Sequence, residues 1–83
     1  MLTPHGPASY RCVQLGKLCT QLELGGYAPI PVTSANELAR YQRPRSIIIL
    51  YLNGTVLLQG SDLEMPRRLF ARLVEAEQQS LPF

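Results

Sequence analysis

A strong hairpin signature in the middle of the chain limits the possible folds more than any other feature. Residues 46–51 read Ser-Ile-Ile-Ile-Leu-Tyr and residues 55–59 read Thr-Val-Leu-Leu-Gln, with Asn53 and Gly54 between them. β-Branched and aromatic residues on both sides of an Asn-Gly pair are typical of two antiparallel strands joined by a tight turn. Because both strands are apolar at nearly every position, each face of the hairpin needs a covering layer or a partner.

Helical patterns lie on both sides of this hairpin. Upstream, apolar residues recur at spacings of three and four until Gly25 and Gly26, a pair that favours a left-handed helix cap. Downstream, Ser61 or Asp62 can cap a second helix that has Pro66 near its first turn. The two apolar stripes are Leu15, Leu18, Cys19 and Leu22 in the first helix, and Leu69, Phe70, Leu73 and Val74 in the second. This pattern predicts an α+β domain, in which a curved antiparallel sheet has its helices packed on one face.

The other segments are less regular. Residues 1–8 hold two prolines and a glycine, and we expect a flexible leader there, so that a single domain spans residues 9–83. Residues 9–14 either form a short first strand or begin the first helix. Residues 27–32 include two prolines, which cannot donate to a strand ladder, and they predict an extended connection rather than a central strand.

Residues 34–41 are open to two interpretations. Ser34 and Glu37 have the spacing of a capping box, which favours a helix. The Arg43-Pro44 step ends any such helix early, because the residue before a proline disfavours helical geometry. Helix and strand therefore both fit this segment on local grounds.

Composition narrows the possible functions. A chain of 83 residues holds one core, and with 46% hydrophobic residues we expect part of the apolar surface to meet a partner. The net charge of +2 is too small to prove a polyanionic ligand. One histidine, His5, and two cysteines, Cys12 and Cys19, stand without paired carboxylates or a glycine-rich phosphate loop. We expect no catalytic residues, no metal site and no cofactor.

The same sequence predicts a cytoplasmic protein without a membrane role. Its first residues lack the basic and then apolar pattern of a signal peptide. The longest apolar run, residues 47–52, is far shorter than the ~20 residues that span a bilayer. The two cysteines do not form a secreted disulfide framework and are expected to be small core residues.

The segment RYQRPRSIIILYLNGTVLLQG, followed by an amphipathic helix, resembles two known families. It is similar to the amino-terminal domain of ribonuclease HIII in its Arg-Pro step, its apolar strand ending in tyrosine, its glycine turn and its Val-Leu-x-Gln-Gly ending. It also resembles one repeat of the TATA-box-binding protein, where an apolar strand, a turn, a second strand and a basic helix follow in this order. The similarity spans residues 15–83 and implies a half-repeat of that fold, in which residues 9–14 and 34–41 are strands.

Two departures limit what the resemblance implies. The ribonuclease carries metal-binding carboxylates in a further domain, and nothing in this sequence corresponds to them. The TATA-box-binding protein has two repeats that form a saddle, whereas this sequence has one. The resemblance therefore implies nucleic-acid binding without hydrolysis, and a saddle only if two chains pair.

Alternation as in these two families implies which side of the hairpin would bind. The residues expected to face the helices are Ile48, Leu50, Val56 and Leu58. The resemblance implies that duplex nucleic acid or an RNA/DNA hybrid contacts the opposite side, with arginines at strand ends on the phosphates. The predicted nucleic-acid-binding residues are Arg40, Gln42, Arg43, Arg45, Ile49, Tyr51, Leu57 and Gln59. The alternative is a protein-interaction or assembly module, whose apolar sheet face is buried in a homodimer or a larger complex.

Overall fold

The structure is a computed structural model that describes the backbone of residues 2–79 and the side chains of residues 2–75. The strands in this range are β1 (Leu2–Gly6), β2 (Ser9–Cys12), β3 (Ala28–Ile30), β4 (Glu37–Arg43), β5 (Ser46–Tyr51) and β6 (Thr55–Gln59), and the helices are α1 (Leu15–Leu24) and α2 (Glu64–Gln79). The predicted α+β class is confirmed.

All six strands form one antiparallel sheet in the order β1-β2-β6-β5-β4-β3. The predicted hairpin is its centre, where Ile48 of β5 pairs with Leu58 of β6. Its turn is closed by the N–H of Gly54, which donates to the carbonyl oxygen of Tyr51 over 3.0 Å. The apolar hairpin thus lies where both of its strands have a neighbour on each side.

Both edges of the sheet contain a proline. Pro4 lies in β1 and Pro29 lies in β3. Proline has no N–H to donate, and its presence at an edge opposes pairing with a further strand. Residues 27–32, for which the prolines predict an extended connection, accordingly contribute an edge strand and no central one.

The helices pack on one face of the sheet. Phe70 of α2 is fully buried, and its ring meets the Tyr10 ring edge-on, with centroids 4.7 Å apart. The buried sheet residues in this core include Ile48, Leu50, Val56 and Leu58, and both predicted helical stripes pack against them. The expected inward side of the hairpin is therefore confirmed. Each such side chain contributes roughly 1.5–3 kcal/mol by leaving water.

A glycine ends α1, as the sequence predicts. Gly26 has a φ of 87°, and its N–H donates to the carbonyl oxygen of Glu23 over 3.1 Å. The N–H of Tyr27 donates to the carbonyl oxygen of Leu22 over 3.0 Å. These two bonds form a Schellman cap, and they place the buried Tyr27 directly after the helix.

The start of α2 also follows the prediction. Asp62 Oδ1 accepts a hydrogen bond from the N–H of Glu64 over 3.1 Å, which makes Asp62 the capping residue. Pro66 is fully buried in the first turn, where its missing N–H has no helical partner to lose. The cap fixes where the chain leaves the sheet and enters the helix.

Residues 34–41 become a turn followed by a strand. Ser34 and Glu37 do interact, because the Ser34 hydroxyl donates to Glu37 Oε2 over 3.0 Å. Their bond closes a turn rather than a helix start, and β4 runs from Glu37 onward. Six register pairs with β5 outweigh the local helical preference.

The expectation of a flexible leader is wrong for most of residues 1–8. Residues 2–6 form β1, which pairs with β2, and Leu2 is buried in the core. The prolines and glycine suggest a loose segment, but an antiparallel partner and the burial of Leu2 order it. The domain thus includes these residues, and residues 80–83 of the expected range lie outside the described part.

Candidate functional site

The sheet face opposite the helices, called the outer face below, is the candidate site. Strand register shows which side chains share it, because residues paired across strands point to the same side. Its central row runs from Arg40 through Ile49 to Leu57, and the next row places Gln42 and Gln59 on either side of Ile47. Neither helix packs there, since the outer residues of β5 and β6 do not belong to the core cluster.

Ile49 lies at the centre of the outer face but is only 1% exposed. Its cross-strand neighbours are the half-buried Arg40 and Leu57, and the methylene groups of an arginine can cover an apolar neighbour. The sequence predicts Ile49 as a contact residue, and its side chain instead offers almost no surface. The outer face therefore covers its own apolar centre in part.

Arg40 is held by a carboxylate on the same face. Its Nε donates to Glu37 Oε1, and its Nη2 donates to Oε2 over 3.3 Å. The carboxylate also accepts hydrogen bonds from the hydroxyls of Thr33, over 2.9 Å, and Ser34. Arg40 and these bonds lower the pKa of Glu37 to about 2, against the raising effect of burial. A phosphate contact by Arg40, as the sequence predicts, would have to break this pair.

Glu37 is nearly inaccessible because its neighbours cover it. Its side chain is 3% exposed, yet it lies on the outer face, opposite Tyr51 of β5. Arg40, Thr33 and Ser34 surround the carboxylate and satisfy it. The cluster therefore forms a closed, neutral unit at one border of the outer face.

Arg43 points away from the outer face. It shares the side of β4 on which Tyr41 is buried, and its Nη1 donates to the carbonyl oxygen of Gly25 over 2.8 Å. Its guanidinium carbon lies 5.5 Å from the centroid of the Tyr27 ring. The structure thus places Arg43 among the helices and not with the predicted phosphate contacts. Arg45 is exposed in the turn that follows β4.

The exposed part of the outer face combines amides, an aromatic ring and a cation. Gln42 and Gln59 are exposed, while Tyr51 and Leu57 are half-buried. Arg11 of β2 is also exposed here, opposite Thr55 of β6. Sequence reasoning missed Arg11, although its alternation with the inward Tyr10 and Cys12 was a usable signal.

The acidic residues lie mostly in or next to the helices and not in the strands. Glu37 is the only acidic residue in the six strands, and Arg40 neutralises it. The other acids are Glu23, Asp62, Glu64, Glu75 and Glu77, which lie in the helices or in the cap of α2. Within residues 2–75, the outer face therefore has no uncompensated carboxylate.

Two buried tyrosines lie on the helix side. Tyr41 Oη donates to Glu23 Oε2 over 2.9 Å, and burial together with Cys19 and Glu23 raises the pKa of Tyr41. Burial also raises the pKa of Tyr27, against a lowering effect of the nearby Ser46 hydroxyl. Both phenols are therefore protonated at neutral pH.

The described residues contain neither a metal-binding cluster nor a membrane-spanning helix. Their His, Cys, Asp and Glu side chains form no group of three or more that could hold a metal ion. Neither described helix is both long enough and apolar enough to cross a membrane. The outer face remains the feature that needs a functional explanation.

The comparisons with known proteins leave the family open. No family model, no curated protein and no solved structure matches the chain. The structure defines an α+β domain with an open antiparallel sheet. The resemblance to ribonuclease HIII and the TATA-box-binding protein stays a prediction from the sequence.

Proposed function

We propose that this chain is a small, non-catalytic module that binds nucleic acid, as a duplex or an RNA/DNA hybrid, through the exposed part of its outer face. One observation carries the proposal. The outer face presents an exposed arginine and two exposed side-chain amides, and its single carboxylate is neutralised by Arg40. A polyanion can approach such a surface without meeting uncompensated negative charge.

Side chains of different chemistry contact different parts of the nucleic acid in this proposal. Arg11 contributes a phosphate contact from the face itself, and Arg45 contributes one from the end of the sheet. Gln42 and Gln59 can each donate and accept hydrogen bonds at sugars or base edges. Tyr51 and Leu57 supply apolar contact area between them. Arg40 contributes a phosphate contact only if the phosphate displaces the Glu37 carboxylate from it.

Titration of labelled nucleic acid tests this assignment. Fluorescence anisotropy with short duplex DNA, duplex RNA and hybrid is measured at several salt concentrations for the unchanged protein, Arg11→Ala and Lys17→Ala. Lys17 is exposed on α1, so Lys17→Ala removes the same charge from the helix side. Each phosphate contact adds about 0.9 to the slope of log affinity against log salt. We expect Arg11→Ala to lower that slope by about this amount, and Lys17→Ala to leave it nearly unchanged.

Equal effects of the two variants would mean that binding follows net charge and not the outer face. Absence of binding at low salt to all three nucleic acids would remove the proposal altogether.

A second candidate function is assembly through apolar surface, and one observation favours it. Val13 is 85% exposed and Leu52 is 60% exposed, and both line one pocket with Leu15 at an end of the sheet. Exposed apolar side chains that meet in one place are typical of protein contacts. We propose a second copy of the chain as the partner in this case. Sedimentation of the unchanged protein and of a Val13→Ser, Leu52→Ser double variant tests it: a dimer that the double variant abolishes, and that salt does not weaken, favours assembly.

A further inference from the structure

An open cavity of about 430 Å³ lies on the helix side of the molecule, between the end of α1 and one side of α2. Its lining includes Gly25 and Tyr27 after α1, and Met65, Arg68, Leu69 and Arg72 on α2. The four α2 residues follow the spacing that places side chains on one helix side. The cavity is therefore built by two elements whose relative position the core fixes.

The lining combines an apolar floor with positive charge. Leu69 packs against the core, and Met65 is 48% exposed beside it. Arg68 donates a hydrogen bond to the Glu64 carboxylate, which partly neutralises its positive charge. In the described part of the chain no ion pair is formed by Arg72, whose exposed guanidinium is available to an anion.

Tyr27 adds apolar surface to the lining. The residue is 4% exposed and its hydroxyl is closed to solvent, so the ring and not the hydroxyl faces the cavity. The ring therefore extends the apolar floor that Leu69 forms.

We propose that this cavity binds a small organic anion with an apolar body. The carboxylate or similar head group binds Arg72, with Arg68 beside it, and the body lies against Met65, Leu69 and Tyr27. The volume falls within the ~300–1,000 Å³ of small-molecule sites in proteins. The site lies on the opposite side from the outer face, so it goes beyond the proposed nucleic-acid function and does not depend on it.

Octanoate is a suitable probe, because it combines a carboxylate with a short apolar chain. It is titrated into the labelled full chain and followed by the amide resonances in two-dimensional NMR. We expect saturable shifts at the amides of residues 25–27, 65 and 67–72, while amides in the strands farthest from the cavity stay unchanged. Octanol has the same chain without the charge. It should bind roughly 2- to 5-fold more weakly, because it cannot form the partly exposed ion pair with Arg72.

Matched variants test the role of the Arg72 charge. Arg72→Gln should weaken octanoate by roughly 2- to 5-fold, whereas Arg67→Gln, an exposed arginine of α2 outside the lining, should not. Tyr27→Phe keeps the ring and should leave octanoate binding nearly unchanged, because the hydroxyl is closed to the cavity. Unsaturable shifts, equal effects of the two arginine variants, or equal binding of octanol would overturn the proposal. An acidic peptide that shifts these amides where octanoate does not would also overturn it, in favour of a protein ligand.

Discussion

Arg43 Nη1 donates a hydrogen bond to the carbonyl oxygen of Gly25 over 2.8 Å, and so joins the end of β4 to the end of α1. The last carbonyls of a helix lack partners within the helix and carry partial negative charge, so a cation there is stabilising. The contact with the Tyr27 ring holds the guanidinium in the same place. Arg43 therefore stabilises the fold and is not available to a ligand on the outer face.

Replacing Arg43 tests this structural role. Arg43→Ala should lower the free energy of unfolding by about 2 kcal/mol, from the loss of a charged hydrogen bond and a cation–π contact. Arg45→Ala removes the same charge from an exposed turn and is the matched control. Urea denaturation followed by circular dichroism measures both variants. If they lose the same stability, the contact between Arg43 and Gly25 contributes nothing specific.

The lowered pKa of Glu37 predicts a pH dependence of stability. The folded pKa is about 2, below the ordinary value of 4.5, because Arg40 stabilises the charged form. The unfolded chain therefore binds the proton first, and this contribution is complete above pH 4.5 and is lost as the pH falls toward 2. Glu37→Gln should flatten the dependence of unfolding free energy on pH across that window. Glu64→Gln, at an exposed pair, controls for the loss of any carboxylate, and an identical change in both variants would contradict the assignment.

Substitution of alanine at two glycines should change the stability of the protein in opposite directions. Gly60 has a φ of 132°, and a Cβ there would collide with the carbonyl oxygen of Arg45. Gly60→Ala should therefore cost about 3 kcal/mol of stability. Gly16 lies in α1 with nothing within 4 Å of an added Cβ, and Gly16→Ala should gain about 0.5–1 kcal/mol through helix propensity. Thermal unfolding of both variants measures this, and a stable Gly60→Ala protein would contradict the geometry between Gly60 and Arg45.

Replacing each of the two buried tyrosines with phenylalanine should also change the free energy of unfolding in opposite directions. The Tyr27 hydroxyl lies near Ser46 without forming a hydrogen bond, so Tyr27→Phe should raise the free energy of unfolding by about 1 kcal/mol. Tyr41→Phe removes the donor to Glu23 and should lower it by about 1 kcal/mol. Urea denaturation in the absence of any ligand is the measurement. A loss of stability in Tyr27→Phe would show that its hydroxyl has a partner in the free protein.

The elements with strong local signals were predictable from the sequence. The hairpin follows from its Asn-Gly turn and β-branched strands, and both helices follow from their apolar stripes and caps. β1 was missed because Pro4 and Gly6 disfavour a strand locally, and only pairing with β2 reveals it. Alternation within the hairpin alone does not show which side of β4 Arg43 faces, so its position was predicted wrongly. Extended to β4, the same alternation puts Arg43 on the side of the buried Tyr41.

The pair between Glu37 and Arg40 could not be predicted in this way. Residues three apart in a regular strand point to opposite faces, so alternation separates these two side chains. A register shift between Glu37 and Ala39 brings Glu37 opposite Tyr51, onto the same face as Arg40. Such a bulge has no clear sequence signature here, and it decides whether Arg40 is free or paired.

Binding of nucleic acid to the outer face can be followed at the side chains of β4, β5 and β6, because alternate residues of these strands lie on opposite sides of the sheet. Methyl and side-chain amide resonances are recorded while duplex nucleic acid is added to the protein. We expect shifts at Ile47, Leu57, Gln42 and Gln59, with little change at the inward-facing Ile48, Leu50 and Leu58. Shifts confined to the inward-facing set and to α2, or no shifts at low salt, would contradict it.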